Sequence, residues 1–202
     1  EIRGAGNLLG SEQSGHINAV GYETYRRLLS QAVARLKRQS QVVAHGAIEP
    51  ACDLALGLDA SLSPEFVPDE DIRLQLLREF DRIREPAEID SVLEAVRDRF
   101  GPPPEQLIRL ARLFFLKHRL GALGLDALQR VGDHLICSLR EARVFEKALS
   151  GQGIDLRVLT ARKAMWMLPS STLSAEDVLE LVYATAISCR LPRKRRQSAG
   201  GK

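Results

Sequence analysis

A length of 202 residues, with 45% hydrophobic and 27% charged side chains, excludes a disordered polymer and fits one globular domain with an appendage. The formal net charge of +3 is misleading, because residues 190–202 contribute +6 and leave −3 for the rest of the chain. A mildly acidic body is not a broad nucleic-acid surface. Three widely spaced cysteines and the lack of a long apolar run argue against a disulfide framework and a membrane span, and predict a cytoplasmic protein.

The opening stretch, EIRGAGNLLGSEQSGHINAV, is rich in glycine and predicts a loop that turns sharply or approaches another backbone closely. Its GAGNLLG spacing does not match a dinucleotide-binding fingerprint, because the last glycine comes one residue late and no preceding strand is present. Arg3 can fork onto a phosphate or carboxylate, and Gln13 can both donate and accept hydrogen bonds. These groups suit a loop that senses a neighbouring site. The chain begins at Glu1 inside a charged phrase, so we expect it to be a piece of a longer protein.

The next residues predict a helix, a linker and a strand. Aromatic and apolar side chains recur at steps of three and four and predict an amphipathic helix: Tyr22, Tyr25, Leu29, Ala32 and Leu36. Residues 39–51 are expected to be a linker. Leucine alternates with other residues in Cys52–Leu58, which predicts a short strand, and Asp59–Pro68 is expected to be a loop.

Three consecutive helices are predicted after that loop. Asp69 can cap the first helix, and Pro86 suits the first position of the second. The third runs from about Pro104 to Leu120 and is apolar almost all round, so we expect it at the centre of the domain. Its polar stripe consists of Glu105, Arg109, Arg112 and Arg119.

The periodicity changes in the last third of the chain. Leu125–Val131 and His134–Leu139 flank a Gly-Asp pair and predict a hairpin, and Leu156–Thr160 with Ala164–Leu168 predicts a second one. Helices are expected at about Glu141–Leu149, and from a capping box at Ser174 and Asp177 to near Arg190. The predicted fold class is therefore α+β: helices packed on a small, mostly antiparallel sheet built from hairpins, with the Cys52–Leu58 strand as a candidate addition, preceded by the N-terminal loop and helix.

No residue set predicts a catalytic, cofactor-binding or metal site. The sequence contains no glycine-rich phosphate loop followed by lysine, and no nucleophile elbow. His134 and Cys137 lie three apart, but on a strand such positions face opposite sides, and zinc needs four ligands. We therefore rate a stand-alone enzyme as the least favoured prediction.

The basic run PRKRR at residues 192–196 could bind DNA phosphates, although a solvated tail is the commoner meaning of such a run. We expect residues 192–202 to be a disordered tail. The alternative function is a nucleic-acid-binding module that uses this tail and the N-terminal loop.

Three phrases carry a resemblance to a protein family. EIRGAGNLLGSEQSGHINAVGYETYRRLL closely resembles the end of the second motor lobe of bacterial transcription-repair coupling factors (Mfd), and more loosely that of RecG-type branch-migration helicases. FVPDEDIRLQLLREF and IDSVLEAVRDRFGPPPEQLIRLARL resemble the C-terminal regulatory domain of the coupling factors. The resemblance covers residues 1–125 well, is diffuse to about residue 190, and does not include the tail.

The resemblance implies a division of the chain. Residues 1–38 are expected to be the remnant of the translocation motif with its following helix, 39–51 the linker, 52–191 a regulatory domain of the TRCF type, and 192–202 the tail. In the family, the motif's arginine and glutamine help to couple ATP hydrolysis to movement on duplex DNA. The implied motif residues are Arg3, Gly4, Gly6, Gly10, Gln13, Gly15 and His16.

The resemblance also implies a parent protein and its partners. The parent would be an ATP-dependent DNA translocase of helicase superfamily two that displaces stalled RNA polymerase and recruits UvrA for nucleotide-excision repair. ATP and magnesium would bind outside this chain. The regulatory domain would be an autoinhibitory clasp that packs on the N-terminal UvrB-like module of the same chain and hides its UvrA-binding surface. Arg109, Arg112 and Arg119 are candidate contact residues for the clasp, although a solvated face is the favoured meaning of that stripe.

Overall fold

The structure is a computed structural model that describes residues 20–21 and 51–191. The elements in chain order are β1 (Val20–Gly21), β2 (Asp53–Ala55), β3 (Ser61–Leu62), α1 (Glu70–Phe80), α2 (Pro86–Phe100), α3 (Glu105–Ala122), β4 (Leu125–Val131), β5 (His134–Leu139), α4 (Ala142–Leu149), β6 (Leu156–Thr160), β7 (Lys163–Met167) and α5 (Ala175–Ser188). Within these residues, no helix is both long enough and apolar enough to cross a membrane.

The main sheet has five strands in the order β2-β4-β5-β7-β6. Two hairpins, β4–β5 and β6–β7, make its antiparallel part, and β2 joins the edge parallel to β4. Val131 pairs with His134, so Gly132 and Asp133 form a two-residue turn. Gly132 has φ 60°, a left-handed conformation that glycine adopts without a steric penalty. The sheet is therefore mixed, and its two hairpins come from local sequence.

Side-chain caps fix where the helices begin. The Asp69 carboxylate accepts a hydrogen bond of 3.0 Å from the backbone N–H of Ile72 at the start of α1. At α5, Ser174 and Asp177 form a reciprocal capping box, in which the Asp177 N–H donates to the Ser174 hydroxyl at 3.1 Å. Glu85 and Glu88 do the same at α2, which starts with Pro86. These contacts satisfy N–H groups that have no partner inside the helix.

Helix α3 is the centre of the core. Ten of its residues are buried, including Leu107, Leu110, Phe114 and Phe115. Phe80 of α1 lies 6.1 Å from the Phe114 ring, measured between ring centroids. Phe115 meets Tyr183 of α5 edge-on at 5.5 Å. Because α3 packs against helices on two sides and against β4, its all-round apolar sequence is explained by burial.

The structure confirms the α+β fold class, the two hairpins, the central position of α3 and the capping roles of Asp69 and Ser174. Two predictions are corrected. The strand predicted at Cys52–Leu58 is regular only over Asp53–Ala55, although Leu54 and Leu56 are buried as the alternation required. The loop predicted at Asp59–Pro68 contains β3, whose Leu62 is fully buried. A two-residue strand is too short for sequence periodicity to reveal.

Candidate interaction surface

The predicted translocation-motif residues lie outside the described part of the chain: Arg3, Gly4, Gly6, Gly10, Gln13, Gly15 and His16. The predicted helix after Tyr22, most of the linker, and the basic tail from residue 192 also lie outside it. Those assignments, and the domain boundaries that depend on them, stay predictions.

The segment that follows the predicted motif is joined to the domain by a short ladder. β1 pairs antiparallel with β3, with Val20 opposite Leu62 and Gly21 opposite Ser61. β3 in turn lies against α3 through Leu62, which is fully buried. The ladder therefore joins the segment four residues after His16 to a strand that lies against the central helix.

The polar stripe of α3 faces α5. Arg109 contacts Glu176 through its Nε and pairs with Glu105 at 2.7 Å. Arg112 pairs with Glu180, and its guanidinium lies 5.3 Å from the centroid of the Tyr183 ring. The side chains of Arg109 and Arg112 are 21% and 28% exposed, so they lie in the seam between the two helices. This contradicts the solvated face that the sequence favoured for these residues, because α5 covers it.

Arg119 completes the seam at the far end of α5. Its Nε donates to the Ala186 carbonyl at 2.9 Å, and its Nη2 donates to the Cys189 carbonyl at 2.8 Å. A cation at these carbonyls satisfies acceptors that the helix leaves free and complements the helix dipole. Arg109 and Arg112 also contact α5, so all three arginines hold α5 on α3. None of them is free to be the partner contact that the sequence suggested.

A second polar cluster joins the end of α1 to α3. The Asp81 carboxylate accepts a hydrogen bond of 2.7 Å from Lys117 Nζ and lies 3.0 Å from His118 Nε2. Burial raises the pKa of Asp81, but the hydrogen bonds from His118 and Lys117 and the Lys117 charge outweigh it, so its pKa lies below the ordinary 3.8. Lys117 is 9% exposed and needs this carboxylate, because a buried ammonium without a counter-charge is costly.

One face of α2 is acidic. Asp90, Glu94 and Asp98 are spaced four apart, which aligns them on one side of the helix, and all three are exposed. Their side chains have no hydrogen bond or ion pair with residues 51–191, although Asp90 lies near Tyr183 of α5, whose pKa is raised by burial and by the Asp90 charge. Asp98 lies in the last turn of α2, where the helix dipole disfavours a negative charge, so its presence does not serve helix stability. The i, i+4 spacing of these acids is visible in the sequence, but spacing alone does not distinguish an unpaired row from one that is paired with another helix.

The described cysteines are not set up as nucleophiles. Cys52, Cys137 and Cys189 are buried thiols, and burial raises the pKa of each of them, which makes them poor nucleophiles. His134 is partly exposed and lies 3.0 Å from Asp133, while Cys137 points into the core on the opposite face of β5, as the strand geometry predicted. Among the described residues, no three histidine, cysteine, aspartate or glutamate side chains are grouped to hold a metal ion.

The two halves of the described domain's sequence differ in net charge. Residues 51–105, which include α1 and α2, hold 14 acidic and 6 basic side chains. Residues 106–191 hold 8 acidic and 12 basic ones. The first half contains the acidic row of α2, while Arg109, Arg112 and Arg119 of the second half are used in the seam between α3 and α5.

Comparison with known proteins shows which family the domain resembles. The model of the TRCF domain matches residues 56–148, which include both the acidic α2 and the central α3. These residues are therefore similar to a TRCF domain. The match begins after β2 and ends within α4, so the second hairpin and α5 lie beyond the matched residues.

Similar curated proteins are named transcription-repair-coupling factor, which agrees with the match to the TRCF-domain model. The chain is 35% identical over 129 residues to the transcription-repair-coupling factor of Helicobacter pylori, a match that covers 62% of this chain and 12% of that protein. The coupling factors of Myxococcus xanthus and Escherichia coli are 35% and 31% identical, over 69% and 65% of this chain, and 11% and 12% of their lengths are covered. The chain thus spans only 11–12% of the length of these relatives.

A crystal structure of the C-terminal domain of a transcription-repair coupling factor has the same fold. The TM-score is 0.59 at 14% sequence identity, and the alignment covers 68% of this chain and 91% of that one. At that identity the likeness concerns the fold of the TRCF domain alone.

Proposed function

We propose that this chain is the C-terminal regulatory part of an ATP-dependent DNA translocase that couples transcription to nucleotide-excision repair in the cytoplasm. The observation that carries the proposal is the TRCF-domain match over residues 56–148, together with curated relatives that are all named transcription-repair-coupling factor. The parent would act on duplex DNA and stalled RNA polymerase and would recruit UvrA.

The domain restrains the parent as a clasp that covers the UvrA-binding surface of the N-terminal UvrB-like module. The acidic row of α2, formed by Asp90, Glu94 and Asp98, is the surface that best suits this contact, because it is exposed and unpartnered within residues 51–191. An interface of exposed charges is weak enough to open when another ligand competes for the module. The arginine stripe of α3 is not available for this role, because it holds α5.

The ladder between β1 and β3 supports a direct connection between the motor lobe and the regulatory domain. Val20 and Gly21 follow the predicted translocation motif directly and pair with Leu62 and Ser61 of the domain. A movement of the motif loop would therefore pull on a strand that lies against α3. This connection gives the motor lobe and the clasp a short mechanical path.

ATP and magnesium are proposed to bind outside this chain. The sequence lacks the glycine-rich phosphate loop, and the described residues do not group carboxylates for a metal ion. The nucleotide would be bound and hydrolysed in other parts of the parent, and the 202-residue chain alone is expected to hydrolyse no ATP.

The test uses the protein encoded by the complete gene and a variant that stops before Cys52. UvrA is immobilised, and capture of the two proteins is compared at equal concentration, with ATPase rates measured in parallel. We expect the truncated protein to be captured at least about tenfold more strongly and to hydrolyse ATP faster, because the masking contact is gone. Equal capture of the two proteins, with both folded, would contradict the clasp.

A further inference from the structure

A groove lies between α4 and the carboxyl end of α5, and none of the residues that line it belongs to the acidic row. Its volume is about 630 Å³. Val144 and Ala148 of α4 supply apolar lining, and Val144 is 39% exposed. Arg143, Lys147 and Arg190 also line it and supply three cations. The groove therefore combines an apolar floor with a basic rim.

The groove is held open by contacts that do not use its cations. On the inner side of α4, Ala142, Phe145 and Leu149 are buried at helical spacing, which turns Arg143, Val144 and Lys147 outward. Across the groove, the Ser188 hydroxyl donates to the Gln152 side-chain oxygen at 2.8 Å and fixes the loop after α4 to the end of α5. The side chains of Arg143, Lys147 and Arg190 have no hydrogen-bond or ion-pair partner within residues 51–191.

We propose that this groove docks an amphipathic segment of a partner protein whose polar side carries carboxylates. Charge complementarity with the three cations selects an acidic partner, and the apolar floor selects one that also presents aliphatic side chains. Two more exposed apolar side chains, Ile187 at 41% and Leu191 at 42%, extend the apolar surface near the end of α5. This docking surface goes beyond the proposed clasp and uses residues of α4 and of the end of α5 in place of those of α2.

Other occupants fit the groove less well. Residues 192–202 carry five basic side chains and no acid, and residues 1–50 carry six basic and four acidic ones, so neither segment supplies an acidic occupant. A second copy could offer the acidic row of α2, but the apolar side of that helix is buried against its own core at Ile89 and Val96. Nucleic acid would satisfy the rim and leave the apolar floor without a partner.

The test measures fluorescence anisotropy with a synthetic amphipathic peptide built from leucine and glutamate, titrated with the 202-residue chain. The same peptide with lysine in place of glutamate and a labelled DNA duplex are the other probes. The groove variant is Arg143→Glu with Lys147→Glu, and the matched control is Arg78→Glu with Lys163→Glu, which makes the same charge change at exposed positions elsewhere. Melting temperatures check that both variants are folded, and Arg143→Gln with Lys147→Gln replaces the groove variant if it is not.

We expect the acidic peptide to bind the wild-type chain and the control equally, and to bind the groove variant at least about tenfold more weakly. Val144→Asp should also weaken binding, because it places a carboxylate in the apolar floor. The lysine peptide should not bind. Equal affinity for the groove variant and the control, or no binding of the acidic peptide at all, would overturn the proposal. The proposal would also be overturned if the DNA duplex bound more tightly than the acidic peptide and the groove variant abolished that binding. Self-association of the chain in competition with the peptide would overturn it as well.

Discussion

The α1–α2 side and the α5 side of this domain are attached to the same central helix by different chemistry. On the first side, aromatic packing of Phe80 on Phe114 and the Asp81–Lys117–His118 cluster hold α1, and the charged surface of α2 is left free. On the second side, ion pairs and hydrogen bonds attach α5 to three arginines of α3: Arg109, Arg112 and Arg119. The difference shows that a charged stripe in a sequence can belong to a seam as readily as to a partner surface.

The largest expected effect comes from Phe114→Ala, because this side chain is fully buried in the helix that both sides share. We expect a loss of about 3–5 kcal/mol in the free energy of unfolding, measured by urea denaturation. Hydrogen exchange should show α1 and α5 losing protection together. If one helix kept its protection while the other lost it, the two sides would unfold independently, and the shared central helix would not couple them.

Asp81→Asn should affect the first side alone. The amide keeps the shape but leaves the buried Lys117 ammonium without its counter-charge, at a cost of about 2–3 kcal/mol. Hydrogen exchange should rise at the end of α1 and not at the end of α5. A uniform rise in both helices would show that the cluster stabilises the whole core.

The same substitution changes the response to acid. The folded pKa of Asp81 is lower than its ordinary 3.8, so its contribution to stability is present above that value and is lost as the pH falls through the folded pKa. Urea denaturation between neutral and acidic pH should therefore show a shallower loss of stability for Asp81→Asn than for the wild type. Parallel pH profiles would mean that Asp81 has the same pKa in both states.

Arg119→Ala should affect the second side alone. Removal of the donor leaves the carbonyls of Ala186 and Cys189 without this partner, which should cost about 1–2 kcal/mol. Exchange should rise in the last turn of α5, with α2 as the unchanged reference. Arg119→Lys is the matched control and should recover only part of the loss, since an ammonium cannot reproduce the forked contact. A full recovery with lysine would show that a positive charge at this position is sufficient and that the forked geometry of the guanidinium contributes nothing.

The smallest effects come from one cap on each side. Asp69→Ala at α1 and Ser174→Ala at α5 should each cost about 1 kcal/mol, because each removes a side-chain acceptor for an N–H group in the first turn. Thermal denaturation of the two variants gives a matched pair across the domain. If only one variant lost stability, the cap of the unaffected helix would contribute nothing, which would mean that the first turn of that helix is already frayed in the wild type.

The sequence predicted what local chemistry determines. Glycine at the turn before Asp133, the capping residues Asp69 and Ser174, and the apolar periodicity of α3 were sufficient for the hairpin, the helix starts and the central helix. These features depend on neighbours within a few residues, and the same is true of the buried Leu54 and Leu56.

What depends on distant neighbours was not predictable. Arg112 meets Glu180 only because α5 packs on α3, 68 positions later in the chain, and a single sequence carries no sign of that pairing. The β1–β3 ladder joins two residues to two others with no periodic signal. The groove beside Lys147 likewise exists only because the end of α5 approaches α4.

The direct measurement of the central claim is a titration of the 202-residue chain with the UvrB-like module of its parent, in trans and at two salt concentrations. We predict salt-sensitive binding that Asp90→Lys, Glu94→Lys and Asp98→Lys together abolish, while Arg143→Glu with Lys147→Glu leaves it unchanged. Undiminished binding by the α2 variant, or loss of binding in the groove variant, would contradict the assignment of the clasp to the acidic side of the domain.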